Sequence, residues 1–429
     1  MNLSIAARRL LSIGAVYLIF SDPLLADVKS SISVLNNHPQ VLGERAKGLA
    51  SDARVAQQSA QWLPNISMST DGGKRIFGNT SDTQARAVRD NGYIDLVVTG
   101  RQLLYDFGAV DGYIDEAKFR SQADSLLDEI ALNSLVGDLM QLALQFRVEE
   151  ERGQIIFGLV EPLKEQTELS RQRYEAGVSG GDDYRRLQMD IDRLNRDQAE
   201  VDRRLRDISQ KVVEQFALNI KDGLELSDYL LAQSGAFDDQ ERLSDKSRKL
   251  REQAANSRID AAIAEKKPRF ELELELRGFD VEQSFVSENE LTGNIQMTMP
   301  FFDGGALEAK ARVAEFERSV VQQEQAFEAR VLRERTAQIE EERRTLEMVI
   351  QSLSDQRDTA SEALEMAIAR QGLTAVEISQ INTGLMSIYQ IDSELLDARL
   401  RAEQLDLELI TLNERWPARI NQALLALEN

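Results

Sequence analysis

Residues 269–276 read Arg269-Phe270-Glu271-Leu272-Glu273-Leu274-Glu275-Leu276. From Phe270 onward every second side chain is large and apolar, and every one between is glutamate. An extended chain here presents one greasy face and one anionic face. The stretch follows Lys267-Pro268 at the end of a helical pattern, and the segment Leu291 to Phe302 repeats its parity in Ile295, Met297 and Met299. Earlier in the chain Trp62-Leu63-Pro64 enters a similar pair, Asn65 to Ile76 with Ile66 and Met68, then Tyr93 to Tyr105 with Ile94, Leu96 and Val98. Between these two lies a polar loop, Phe77 to Asn91.

Two more landmarks recur in the same order. Leu104-Tyr105-Asp106-Phe107-Gly108-Ala109 is answered by Phe301-Phe302-Asp303-Gly304-Gly305-Ala306, and both open long helical patterns. Those patterns break at Arg173-Tyr174-Glu175-Ala176-Gly177-Val178 and at Gln380-Ile381-Asn382-Thr383-Gly384-Leu385. Ordered recurrence of this kind marks a duplicated unit. We divide the chain into a leader over 1–26, a first repeat over 27–217, a connector over 218–239 and a second repeat over 240–429.

Within each repeat the helices follow from punctuation and period. Pro39 starts a helix that Pro64 ends. Ala109 to Ala176 is nearly free of breakers, and some 65 helical residues would reach roughly 100 Å. Pro162 should kink that run or hand it over to a second helix. The return helix from Asp183 to Ala217 spaces Leu187, Ile191, Leu194, Gln198, Val201, Leu205, Ile208 and Val212 in a 4-3-4-3 rhythm, a coiled-coil seam. The second repeat has a helix from Ala306 to Asn382 and a return seam from Ile391 to Trp416 with Pro417 at its end.

Composition removes several function classes. A net charge of -22 over 429 residues argues against nucleic acid. Arg8 and Arg9, the apolar run Leu10 to Phe20 and Pro23-Leu24-Leu25-Ala26 read as a secretory signal cleaved after Ala26. Cleavage takes Arg8, Arg9 and Asp22 with it and moves the charge from -22 to -23. There is no cysteine, hence no disulfide, thiolate metal site or lipid anchor on an N-terminal cysteine. The one histidine, His38 beside Pro39, reads as a helix-start residue. Runs such as Glu149-Glu150-Glu151 and Glu340-Glu341-Glu342 read as solvated faces. We expect no enzyme, no cofactor and no metal.

No stretch after the leader is long and apolar enough for a membrane helix, but a β-barrel needs only short alternating strands. On alternation alone the sheet could instead cover a soluble core. Four strands are the only β-structure read, and no apolar helix is free to cover them, which favours lipid. A four-stranded sheet in lipid leaves two open edges, so closure needs copies from other chains. At the breaks, the glycines around Gly177 supply a reversal, and Asp182 and Asp183 read as N-caps of the return helix.

At these residues the chain resembles the TolC family of outer-membrane export channels. The resemblance rests on Asn37-His38-Pro39, the junctions at Pro64 and Pro268, Phe302 to Gly305 and the two glycine-hydrophobic tips. It implies a mainly helical protein with a membrane β-barrel. Long antiparallel coiled-coil helices form an α-barrel tunnel, and four strands per chain contribute to a twelve-stranded barrel in a homotrimer. It implies residence in the cell outer membrane with a large periplasmic part, and an equatorial region built partly from the connector. Partners are outer-membrane lipid, a periplasmic adaptor (membrane fusion protein) and through it an inner-membrane pump. By position, Gly177, Val178, Gly384 and Leu385 would contact the adaptor, and Asp182 and Asp183 would sit at the constriction. The sequence departs from the best-known pattern where a basic residue locks the second tip. Met386 stands there, and Gln390 and Ser393 replace acidic ring residues. The closed state must then be held differently.

If the apolar strand face meets lipid, Glu271, Glu273 and Glu275 face the lumen and three chains would carry nine carboxylates around it. The absence of a lipid-anchor cysteine leans toward channels serving type I protein secretion and efflux together. The competing reading is a periplasmic coiled-coil adaptor or scaffold, whose strands would need no lipid-facing parity.

Overall fold

A computed structural model describes residues 22–73, 93–178, 181–232, 241–278, 289–371 and 378–428. The greater part of the leader, the loop over 77–91, and Ser179 and Gly180 of the first tip lie outside them. Ten helices and four strands run in the order α1 (Asp22–Asn36), α2 (Pro39–Ser59), β1 (Asn65–Gly73), β2 (Tyr93–Tyr105), α3 (Ala109–Asp124), α4 (Leu127–Glu175), α5 (Asp182–Phe216) and α6 (Ile220–Ala232). The second half continues with α7 (Leu243–Ala264), β3 (Arg269–Gly278), β4 (Asn289–Thr298), α8 (Ala306–Gln371), α9 (Ile378–Leu412) and α10 (Trp416–Glu428). These elements form two compact units, one of residues 42–130 and 241–332, the other of the remainder.

The first unit holds one antiparallel sheet in the order β1-β2-β3-β4, in which the two repeats meet where β2 pairs with β3. Each repeat turns from strand to helix by the same device. Asp106 accepts from the Gly108 N–H at 3.0 Å and the Val110 N–H at 2.7 Å. Asp303 accepts from the Gly305 N–H at 2.9 Å and the Leu307 N–H at 2.7 Å. A carboxylate placed so satisfies two otherwise orphaned helix donors, and the Leu307 and Gly305 bonds hold the Asp303 carboxyl below the usual range. The chain reaches this geometry through left-handed residues, Phe107 and Gly108 in one repeat and Gly304 and Gly305 in the other.

Small residues bring the helices of this unit together. A Cβ on Gly112 of α3 would lie 2.8 Å from the Ala261 Cβ of α7, so only glycine admits this approach. Across the same contact the Ser247 hydroxyl donates to the Ala123 carbonyl at 3.1 Å. α2 is tied to α3 by Ser51 on Asp124 at 2.6 Å, and the turn after it by the Trp62 indole on Asp111 at 3.0 Å.

In the second unit the heptad rhythm of α5 is the burial pattern. Leu187, Leu194, Val201 and Ile208 are all buried, with Ile156 and Leu163 of α4 in the same cluster as the first three. A separate core gathers Ile32 and Leu35 of α1, Leu139 and Met140 of α4, Phe216 of α5, Leu226 and Leu230 of α6, and Trp416 of α10. His38 sits at the start of α2, within 2.9 Å of the Gln215 carbonyl through Nε2, and accepts the Gln40 N–H at Nδ1.

Three sequence expectations change. The long first helix breaks at Ser125-Leu126, between α3 and α4, while Pro162 lies inside α4. The connector contains a helix, α6, because Leu226 and Leu230 recur at a helical spacing and are fully buried. The second return helix ends at Leu412 instead of running to Trp416. Glu414 adopts φ 55°, and Pro417 lies in the first turn of α10, where its fixed φ and missing N–H suit a helix start.

Trp416 is fully buried. Its backbone N–H donates to Asn133 Oδ1 at 3.2 Å and its indole to Thr411 at 2.8 Å. Trp416→Ala should cost about 3–5 kcal/mol, read as a large fall in the thermal midpoint of helical circular dichroism in detergent. Trp416→Phe, which keeps most of the volume and loses only the indole bond, should fall much less.

Candidate functional site

The sheet register extends the parity of residues 269–276 across all four strands. Met68 stands opposite Val98, Val98 opposite Leu276, and Leu276 opposite Leu291. Facing pairs in an antiparallel ladder share a side, so Ile66, Met68, Leu274, Leu276, Ile295 and Met297 lie on one face. None of these six is covered, and Ile66 and Ile295 are 73% and 70% exposed. A continuous apolar face of this kind marks a surface for lipid or for another protein.

The opposite face is less simply anionic than its glutamates suggest. Glu271 pairs with Arg269 at 2.6 Å, Glu273 with Arg101 at 3.1 Å and Glu275 with Arg277 at 2.9 Å. Among the strand residues described, six carboxylates (Asp71, Asp95, Glu271, Glu273, Glu275, Glu290) share this face with three guanidiniums (Arg101, Arg269, Arg277). Each of the three glutamates expected to face the lumen thus has an arginine partner within the chain. Arg269 and Arg277 flank the glutamates in the same parity, so they were legible; Arg101 required the β2–β3 register.

At the first tip α4 ends in a Schellman motif. The Val178 N–H donates to the Arg173 carbonyl at 2.9 Å and the Gly177 N–H to Tyr174 at 3.0 Å. Gly177 has φ 72°, which explains the glycine. Val178 is 76% exposed, an uncovered apolar side chain at the reversal. Asp182 and Asp183 differ from expectation. They occupy the first turn of α5, whose N-cap is Gly181, and no side chain caps it. The Tyr174 ring lies against Gly181, 3.0 Å from where a Cβ would sit, and takes the space a capping side chain would need.

The second tip is displaced from its sequence reading. α8 ends at Gln371 and α9 starts at Ile378, so Gly384 and Leu385 lie inside α9 and not at the reversal. Gly384 serves packing there, since a Cβ on it would stand 3.0 Å from Leu364 Cδ1 of α8. Leu385 and Met386 turn onto the α4–α5 core beside Ile156 and Leu194. A glycine in helical sequence reads as a break, whereas here it permits a close helix approach.

Met386, Gln390 and Ser393 line one cavity of about 610 Å³ together with Asp190, Asp197 and Arg152; Asp182 and Asp183 do not reach it. Across it Asn382 donates to Asp190 at 2.7 Å and the Tyr389 hydroxyl to Asp197 at 3.0 Å. Both bonds join residues 192 apart, and both lie one heptad from each other on α5 and on α9. Burial, then the bond to Asp197, raises the Tyr389 phenol above its ordinary range. Arg152 reaches Asp397 at 2.5 Å, and Glu149 reaches Arg204 at 2.9 Å. Glu149 is thus a buried, paired residue and not part of a solvated run. These four clasp residues escaped sequence reading, and their only signal was the seven-residue spacing of Asp190 with Asp197 and Asn382 with Tyr389.

The described residues thus hold an open-edged sheet with a bare apolar face, capped strand-to-helix junctions and heptad-packed helix hairpins. Residues 32–214 match the outer membrane efflux protein family. Its fold is that of solved outer-membrane channels. The outer membrane protein VceC of Vibrio cholerae is 14% identical with a TM-score of 0.76, over 90% of this chain and 96% of that one. The outer-membrane channel OprN is 16% identical with a TM-score of 0.75, over 92% and 91%. The Campylobacter jejuni outer membrane channel CmeC is 12% identical with a TM-score of 0.72, over 92% and 89%. At these identities the likeness is one of fold. No curated protein sequence matches the chain.

Gly177→Ala places a Cβ on a left-handed residue and should cost about 1 kcal/mol locally. The amides of Gly177 and Val178, which close the motif, should then exchange with deuterium roughly five-fold faster, with distant helices unchanged.

Proposed function

We propose that this chain is a passive outer-membrane conduit of a tripartite export system, working as a homotrimer. The observation that carries the reading is the four-stranded sheet with an uncovered apolar face and unpaired edges at β1 and β4. Hydrocarbon cannot solvate those edges. The smallest familiar membrane barrels have about eight strands, so one chain cannot close. Three copies give twelve strands, with the apolar face on lipid and the glutamate-arginine face on water. No helix among the described residues is long and apolar enough to cross a membrane.

On this reading the two hairpin ends form the periplasmic entrance. Gly177 and Val178 are the docking point for a periplasmic adaptor that joins the channel to an inner-membrane pump. Gly384 and Leu385 serve the packing of α9, and Asp183 stands at the constriction. The pump supplies the energy and the channel supplies a switch between closed and open tips. In place of the basic lock that Met386 lacks, the bonds of Asp190 and Asp197 to α9 hold the closed arrangement. Type I protein secretion and efflux both fit such a conduit.

Purified protein should insert into planar bilayers and conduct, with cations favoured over anions under a salt gradient. Changing Glu271, Glu273 and Glu275 to glutamine leaves Arg101, Arg269 and Arg277 unopposed at those positions and should move selectivity toward anions. Arg101→Gln should move it the other way. A folded, water-soluble monomer with no conductance would mean that the adaptor or scaffold reading is right.

The double variant Asp190→Ala, Asp197→Ala should open the entrance. Cells carrying it should become several-fold more sensitive to a large antibiotic that the intact outer membrane excludes, with the amount of membrane-inserted protein unchanged. Wild-type sensitivity would remove these two bonds from the gate.

A further inference from the structure

The two strand-to-helix junctions differ at a residue that the turn itself does not call for. The step along the sequence that carries Asp106 to Asp303 carries Phe107 to Gly304. Phe107 has φ 60° and Gly304 has φ 70°. Glycine reaches this left-handed conformation freely, whereas a bulky aromatic residue is strained in it. Asp303 makes its two N–H bonds with glycine in that place, as Asp106 does with phenylalanine. Capping therefore does not need the ring. Strain of this kind persists where the side chain serves something else.

The strained ring meets an aromatic partner and a cation. Its centroid lies 4.7 Å from that of Tyr105, and Lys267 Nζ stands 5.7 Å from it. Tyr105 is itself re-aimed. Leu103 stands opposite Glu271 but Tyr105 stands opposite Phe270, and the bulge between them moves Tyr105 from the glutamate face to the apolar one. Tyr105, Phe270 and Met297 thus form one row across β2, β3 and β4 at the helix end of the sheet. Lys266 and Lys267 are exposed beside this row, and neither forms an ion pair among the described residues. Glu265 is not free to neutralise them, since Lys310 holds it at 2.6 Å and Tyr113 at 2.8 Å. At the other junction, the step that carries Pro64 to Pro268 puts Trp62 and Leu63 where these lysines stand. Strained ring, re-aimed tyrosine and free cations therefore occur together at the first junction and not at the second.

We infer that Lys266 and Lys267 bind the headgroup phosphate of an anionic phospholipid, with the Tyr105 and Phe107 rings against the glycerol region below it. The inference rests on the membrane reading and adds to it a lipid class and a level, because the row of Tyr105, Phe270 and Met297 marks where hydrocarbon ends on the helix side. Aromatic rings with a polar tip and lysines with a long apolar stem are the side chains that suit this depth. A cation within about 6 Å of a ring face is attracted to it, so Phe107 holds the Lys267 ammonium at the level of the headgroups. Two unpaired ammoniums favour a lipid of net negative charge over a zwitterion, which brings an ammonium of its own. β2 and β3 are the inner strands of the sheet, so the site lies away from its edges. On the membrane reading this end faces the periplasmic leaflet, which is built of phospholipid.

Native mass spectrometry of the protein in mild detergent, with dioleoylphosphatidylglycerol or dioleoylphosphatidylcholine added, compares two lipids of equal chains and different headgroups. Wild type should retain the phosphatidylglycerol in preference. Lys266→Gln with Lys267→Gln should weaken that retention roughly 30-fold at low salt and leave the phosphatidylcholine unchanged. Lys118→Gln, which removes another exposed cation of the same unit, should change neither. Phe107→Gly should also weaken retention without lowering the melting midpoint of the helices, since the backbone there suits glycine. A ring kept only for packing would instead lower the midpoint and leave retention alone, which overturns its part in the site. Inorganic phosphate should displace no more lipid than sodium chloride of the same ionic strength, and specific displacement would overturn the lipid assignment in favour of free phosphate. Equal retention of the two lipids by the wild type, or full retention in both the lysine pair and Phe107→Gly, overturns the site. Conductance in bilayers of neutral lipid keeps the two readings apart. The lysine-pair variant should conduct there like wild type, and a wild type that never conducts overturns the membrane reading and the site with it.

Discussion

The structure depends on one constraint, the backbone hydrogen-bonding groups at the two edges of the sheet. An apolar face invites hydrocarbon, and hydrocarbon supplies no partner for an unpaired N–H or C=O, at several kcal/mol for each group left bare. Four strands have two such edges in β1 and β4. The two repeats pair where β2 meets β3, which leaves β1 and β4 as the edges of the described sheet.

Each repeat turns from strand to helix through an aspartate that binds two backbone N–H groups, Asp106 or Asp303, so helix direction is fixed within a few residues of the strand. Farther along, packing passes to heptad burial, and Leu187, Leu194, Val201 and Ile208 form one buried line on α5. Near the tips polar bonds appear in the same rhythm, with Asp190 and Asp197 each holding α9. Two hydrogen bonds at a partly solvated surface are each worth about 0.5–1.5 kcal/mol net. Such a hold keeps the two helices together at modest strength.

Much of this was legible because it rests on period. Alternation gave β2 and β3 to the residue, and the 4-3-4-3 rhythm gave α5 to within a residue at either end. What failed rests on contacts between distant segments. Gly384 reads as a break and is a packing contact with Leu364. Pro417 reads as an end and is a beginning, because Glu414 in a left-handed conformation has already stopped α9. Asp182 and Asp183 read as caps, but Tyr174 occupies the space beside Gly181. The glutamates of β3 read as bare until the register brings Arg101 opposite Glu273. The clasp of Asn382 and Tyr389 involved residue types too common to single out without the fold.

The central claim, that the even-numbered face of β3 meets lipid and the odd-numbered face meets water, is open to direct measurement. Single cysteines placed one at a time from Phe270 to Leu276 can be labelled with a fluorophore in proteoliposomes and exposed to quenchers. A lipid-borne quencher should act on 270, 272, 274 and 276, and a water-soluble one on 271, 273 and 275. Quenching by the water-soluble reagent at every position, with no period of two, would contradict the account.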